Sequence, residues 1–172
     1  MSATLAIQLP TRRTTKLLAR RVAALVRPGD VVYLEGPLGT GKTFFTRALC
    51  RGLGVESSVP VQSPTFALLH TLEGTTSGGE IGIVHADFYR LHAAEEVDEL
   101  GLRELIAENV VVIEWGLRFQ DAIGDGLIIS LSLRGGVREA AVSAIGLRGE
   151  ALLSGLMTTR VVYATDGAER ES

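Results

Sequence analysis

Residues 36–43 read Gly36-Pro37-Leu38-Gly39-Thr40-Gly41-Lys42-Thr43, lying between an apolar run, DVVYLE (30–35), and a helical pattern, KTFFTRALCRGLG (42–54). The octet fits G-x-x-x-x-G-K-[ST], and a strand before it and a helix after it are the context that pattern requires. Glycines at 36, 39 and 41 let the backbone turn successive N–H groups inward. With the positive end of the following helix, those donors form a site for a polyphosphate. Lys42 would bridge the β- and γ-phosphates, and the Thr43 hydroxyl would hold Mg²⁺. Lys16 and Lys42 are the only lysines among 17 cationic residues. Position 42 thus carries a slim ammonium where this chain otherwise uses the planar guanidinium of arginine. By this chain's own residue frequencies, a chance match arises roughly once in a few hundred such sequences. Leu38, Gly39, Thr40, Gly41, Lys42, Thr43 and Phe44 are therefore the candidate nucleotide-binding residues.

Outward from the octet, the pattern is that of one α/β domain. TLAIQLP (4–10) reads as a short strand, and TTKLLARRVAALV (14–26) as a helix with threonines suited to capping and an end at Pro28-Gly29. TFALLHTLE (65–73) and EIGIVHAD (80–87) read as two strands joined by a glycine-rich turn, hence a hairpin. AAEEVDELGLRELIAE (93–108) is helical with a break near Gly101, and NVVVIEW (109–115) is a buried strand ending in an acid and the only tryptophan. GLIISLSL and REAAVSAIGL follow as strands, then GEALLSGL as a short helix. Together these predict a P-loop-type mixed sheet, parallel and antiparallel, flanked by helices. The domain is expected over 1–158, with a polar tail over 159–172.

The 172 residues are 46% apolar and 22% charged, enough for a proper core. The net charge of −3 and a pI near 5.6 argue against holding nucleic acid on a broad basic surface. One cysteine, Cys50, excludes an intramolecular disulfide. The N-terminal stretch does not read as a signal peptide, and no apolar run approaches the roughly 20 residues of a membrane span. A cytoplasmic protein is the expectation.

A phosphate cradle needs an acid to position the metal or water, and strand ends are the usual source. Glu114, closing VVVIE, is the candidate metal-side acid beside Thr43. Asp87, closing IGIVHAD, is the candidate second group near the γ-phosphate or the attacking water. Thr65, in SPTF (63–66), lies where nucleotide switches place a γ-phosphate-sensing threonine. The sequence TSGGE (76–80) falls in the expected hairpin and reads as a turn. His85, Asp87 and His92 match no common zinc spacing, and His85 reads as an ordinary hydrogen-bonded imidazole. Arg90 reads equally as a phosphate contact or a surface ion pair. With only two lysines, neither in such a context, no guanine-reading N-K-x-D element is present.

Several ordered motifs, GPLGTGKTFFTRAL, SPTFALL, HADFYRL, EEVDELGLREL, VVIEW and REAAVSAIG, resemble the TsaE family of bacterial tRNA threonylcarbamoyladenosine biosynthesis over about residues 5 to 155. The resemblance implies a compact P-loop fold that binds ATP and Mg²⁺ and hydrolyses slowly alone. It implies TsaB and TsaD as partners, with TsaD transferring the threonylcarbamoyl group to adenosine 37 of tRNA, so that tRNA is met only indirectly. It assigns Gly39, Gly41, Lys42 and Thr43 to phosphate, Thr43 and Glu114 to Mg²⁺, and Thr65 and Asp87 to γ-phosphate response and catalysis. Trp115 falls where the family's tryptophan follows its acid. Pro37 and Thr40 depart from the family's usual G-D-L-G-A-G-K-T, and Pro37 removes one backbone N–H. Two other functions share such a loop: a small-molecule kinase, and a nucleotide-gated binding module without significant catalysis.

Overall fold

The computed structural model describes residues 4–158. The tail expected over 159–172, with the first three residues of the expected domain, lies outside the described residues. Among the described residues, seven strands form one sheet in the order β1-β7-β6-β2-β5-β4-β3. They are β1 (Leu5–Leu9), β2 (Val31–Glu35), β3 (Leu69–Thr76), β4 (Gly79–Asp87), β5 (Asn109–Glu114), β6 (Gly126–Arg134) and β7 (Val137–Ile145). The four central strands, β6, β2, β5 and β4, run parallel, while β3 and the β7–β1 pair add antiparallel edges. The mixed sheet read from the sequence is the architecture found.

Both faces of the parallel centre are covered, which is why β2 and β5 read as unbroken apolar runs rather than alternating ones. Alternation decides which face each residue joins. Val32 and Leu34 of β2, with Val110 and Val112 of β5, pack against α1 (Arg12–Ala23), α2 (Lys42–Gly52) and α6 (Gly146–Thr158). Val31 and Tyr33, with Val111 and Ile113, pack on the other face against α3 (Ala94–Glu99), α4 (Leu102–Glu108), a 3₁₀ turn η1 (Leu117–Phe119) and α5 (Gln120–Ile123). Tyr33 is fully buried and its hydroxyl donates to the Gly124 carbonyl at 2.6 Å; burial pushes the phenol well above its ordinary range.

Differences from the sequence reading have local causes. The helix expected from Thr14 begins at Arg12, because Thr11 caps it: the Thr14 N–H donates to Thr11 Oγ1 at 3.1 Å and the Thr11 N–H to Thr14 Oγ1 at 3.1 Å. It ends at Ala23 rather than running to Val26. The strand expected from Thr65 begins only at Leu69. Residues 65–68 form a turn instead, closed by Leu68 N–H to the Pro64 carbonyl at 2.6 Å, with Leu68 at φ 65°. The hairpin strands are correspondingly longer at their other ends, leaving Ser77 and Gly78 as the connection. The break at Gly101 is real, with φ 63° separating α3 from α4.

An ion pair ties α6 to the strand that feeds the octet. Asp30, almost wholly buried, accepts from Arg148 Nε at 2.6 Å and Nη2 at 2.7 Å and from the Arg27 N–H at 2.8 Å. This satisfies a carboxylate that would otherwise be costly to bury. Cys50 of α2 is fully buried, and burial pushes its thiol up to about 12. The folded protein should therefore leave Cys50 unmodified by a thiol-reactive probe at pH 8, with full labelling only in denaturant. Rapid stoichiometric labelling of the native chain would contradict this packing.

Candidate nucleotide-binding site

The octet leaves β2 at the carboxyl ends of the parallel strands, where ligands meet open α/β sheets. Gly36 adopts φ 125°, and a Cβ there would collide with the Leu131 carbonyl of β6. Gly41, at φ 98°, turns the chain into α2 as its N-cap, and the Phe45 N–H closes the first turn on the Gly41 carbonyl at 2.9 Å. These two positions need glycine for different reasons, close approach and a left-handed backbone. Pro37 has lost its N–H, but its carbonyl accepts from Thr40 N–H at 3.3 Å, Thr40 Oγ1 at 2.8 Å and Lys42 Nζ at 3.1 Å. The unusual residues Pro37 and Thr40 thus brace each other.

Lys42 is 4% exposed, and its ammonium also donates to the Gly36 carbonyl at 2.7 Å and lies 4.0 Å from the centre of the Trp115 ring. A cation over an indole face is worth about 1 kcal/mol or more when shielded from water. Removal from water pulls this amine below its ordinary value, a tendency opposed by the charges of Glu114, Glu35 and Asp87. Trp115 reaches this place through a backbone at φ 62°, unusual for so bulky a residue. The Trp115 N–H to Leu34 carbonyl bond at 3.1 Å holds it there. Tyr89 packs beside the indole, with ring centres 5.2 Å apart.

The two predicted acids come from neighbouring strands in register, Asp87 of β4 opposite Glu114 of β5. Both are nearly buried. Glu114 Oε1 accepts from Thr43 Oγ1 at 2.9 Å and pairs with His85 Nε2 at 2.9 Å, while Thr43 also reaches Oε2 at 3.2 Å. Asp87 Oδ2 accepts from Thr65 Oγ1 at 3.0 Å and from Ser63 Oγ, and Oδ1 accepts from the Tyr89 N–H at 3.0 Å. Among the described residues no three His, Cys, Asp or Glu side chains form a metal-holding group. A hard cation would therefore depend on the oxygens of Thr43 and Glu114 together with those of a bound phosphate and water, a donor set that suits Mg²⁺.

A cleft of about 390 Å³ joins these groups. Of the predicted residues, Leu38, Gly39, Gly41, Lys42, Thr43, Phe44, Thr65, Asp87 and Glu114 line it. Thr40 does not; its side chain faces Pro37 and its carbonyl accepts from Arg138 Nε of β7 at 2.5 Å. Ser63 and Tyr89 line the cleft without having been singled out as site residues. Glu35, also unremarked in the sequence, accepts from the Leu117 N–H at 2.8 Å, and burial raises its carboxyl above the ordinary value. Arg90 lies over the Phe66 ring at 4.3 Å, a stacking contact that the sequence did not suggest.

The family model described as threonylcarbamoyl adenosine biosynthesis protein TsaE matches residues 9–139. The tRNA threonylcarbamoyladenosine biosynthesis protein TsaE of Bacillus subtilis is 35% identical over 141 residues, 80% of this chain and 84% of that one. The Streptomyces coelicolor protein of the same name is 39% identical over 122 residues, covering 63% of this chain and 80% of its own. The Rickettsia conorii protein of that name is 40% identical over 107 residues, and the match spans only 58% of its length. The crystal structure of Bacillus subtilis YdiB superposes with a TM-score of 0.73 at 30% identity, covering 91% of this chain and 96% of that one.

Because Lys42 lies against the indole, Lys42→Met should change the intensity or wavelength of the emission from Trp115, the sole tryptophan, without added ligand. An emission spectrum identical to that of the parent, from a variant with native circular dichroism, would contradict the contact.

Proposed function

The chain belongs to the TsaE family, and from that premise we propose that it is a Mg²⁺-dependent ATPase that works with TsaB and TsaD in threonylcarbamoyladenosine modification of tRNA. The ATPase domain is taken as residues 1–158, acting in the cytoplasm; among the described residues no helix is long and apolar enough to cross a membrane. TsaD would carry out the transfer to adenosine 37, so this chain would reach tRNA only through its partners. The observation that supports the reading most is the bond from Thr43 at the start of α2 to Glu114 at the end of β5, with the Lys42 ammonium and Asp87 lining the same cleft.

In this reading the inward amides of residues 39–44 and the start of α2 bind the phosphate chain. Lys42 pairs with the β- and γ-phosphates, and Thr43 and Glu114 hold Mg²⁺. The ion would supply neutralisation of charge developing on the β- and γ-oxygens. Asp87 orients the attacking water and receives its proton. Thr65 links the two tasks, since its hydroxyl has one proton to donate and gives it to Asp87 at 3.0 Å. Turning that donor to a γ-phosphate would free one lone pair of Asp87 for water, which couples occupancy of the terminal phosphate to the state of the base. Leu38 and Phe66, both more than four-fifths exposed, flank this region.

The test is ATP turnover by the purified chain, alone and with active TsaB and TsaD. Slow release of phosphate alone and marked acceleration with both partners are expected. Glu114→Gln and Asp87→Asn should each cut the stimulated rate by about 100-fold, within the range for removing a metal-site or proton-transfer group. Unchanged turnover on adding nucleotide-competent partners would count against the reading, as would full activity in either variant. Phosphate appearing on an acceptor other than water would instead mark a kinase.

A further inference from the structure

His85 has no exposure, and among the described residues its imidazole has one polar partner, Glu114, at 2.9 Å from Nε2. Among the described residues its Nδ1 is buried without a hydrogen-bond partner. An unsatisfied buried nitrogen costs about 1–3 kcal/mol, so a side chain kept there only for packing would be served better by leucine. What the histidine adds is a donor aimed at one carboxylate oxygen.

The placement follows from strand alternation. His85 and Asp87 lie two apart on β4 and share the face of Ile81 and Ile83, the face covered by α2; Glu114 shares that face on β5 with Val110 and Val112. The Thr43 hydroxyl therefore reaches Glu114 from α2 and the His85 imidazole reaches it from the neighbouring strand. A carboxylate only accepts, so the shared proton sits on Nε2. Oε1 takes both close bonds, from His85 and Thr43 at 2.9 Å each, while Oε2 has only the longer arm of the Thr43 bond, 3.2 Å.

We propose that His85 is a positioning residue for the Mg²⁺ site: it fixes Oε1 of Glu114 and so presents Oε2, with the Thr43 hydroxyl, as the metal-side pair. The inference rests on the reading of Thr43 and Glu114 as the Mg²⁺ residues. Groups that orient a metal ligand through its outer atom typically alter metal affinity by about 10–100-fold when removed. His85 has no exposed surface and acts through Glu114.

The test compares ADP affinity in EDTA with affinity across a Mg²⁺ titration, by calorimetry, for the parent, His85→Leu and His85→Gln. The Gln amide nitrogen lies about where Nε2 does and can donate to Glu114. His85→Leu should need about 10–100-fold more Mg²⁺ for half-maximal enhancement of ADP binding, with its affinity in EDTA within about twofold of the parent. His85→Gln should recover most of the Mg²⁺ response. Thermal unfolding certifies that each variant is folded, and should His85→Leu fail to fold, His85→Asn, too short to donate to Glu114, replaces it. A parental Mg²⁺ requirement in the non-donating variant overturns the proposal, as does an equal loss with and without Mg²⁺, or a folded His85→Gln that gives no recovery. A parent protein whose ADP binding ignores Mg²⁺ would instead sink the ATPase reading beneath it.

Discussion

The hydrogen bond from Thr43 to Glu114, 2.9 Å long, joins the first turn of α2 to the last residue of β5. Everything at the site is arranged around that join. The octet must leave β2, pass over the sheet edge and deliver a helix whose hydroxyl meets a carboxylate on the adjacent strand. Only a backbone with Gly36 pressed on β6 and Gly41 left-handed makes that return in so few residues. The helix then lies on the sheet with Phe45, Leu49 and Cys50 buried, so core packing holds the angle at which the loop amides converge. Packing and chemistry are coupled through one turn of helix.

A second row of contacts places the water-side groups. Parallel pairing of β4 with β5 sets Asp87 opposite Glu114, and the turn 65–68 brings Thr65 and Ser63 onto Asp87. The same turn is where the strand expected from Thr65 fails to form. Pairing on β4 reaches only to Leu69, whose partner is Ala86. Had the strand continued in register to Thr65, its backbone would have joined the edge ladder opposite Arg90, carrying the hydroxyl past Asp87 instead of onto it. A local departure from regular structure is thus what allows the threonine to act.

Most of the architecture was legible because the signals were redundant. The octet required strand, loop and helix in that order, and apolar runs with turn residues between them located every strand. Glu114 and Asp87 were legible as acids that interrupt apolar strands at their ends. The turn at 65–68, the short η1 and α5, and the true start of α1 were not, because they depend on hydrogen bonds closed by particular partners rather than on periodicity. His85 was passed over as an isolated imidazole, although its separation of two residues from Asp87 already placed both on one face. Arg138 and Glu35 could not be read at all, since only the fold brings β7 against the octet and η1 against the end of β2.

The most direct measurement is a crystal structure of the chain grown with Mg²⁺ and a non-hydrolysable ATP analogue. The expected result is the triphosphate wrapped by residues 39–44, the Lys42 ammonium on the β- and γ-phosphates, and the metal against Thr43 and Glu114. A nucleotide bound elsewhere, or one in the cleft with the Lys42 ammonium still on the carbonyls of Gly36 and Pro37, would contradict it.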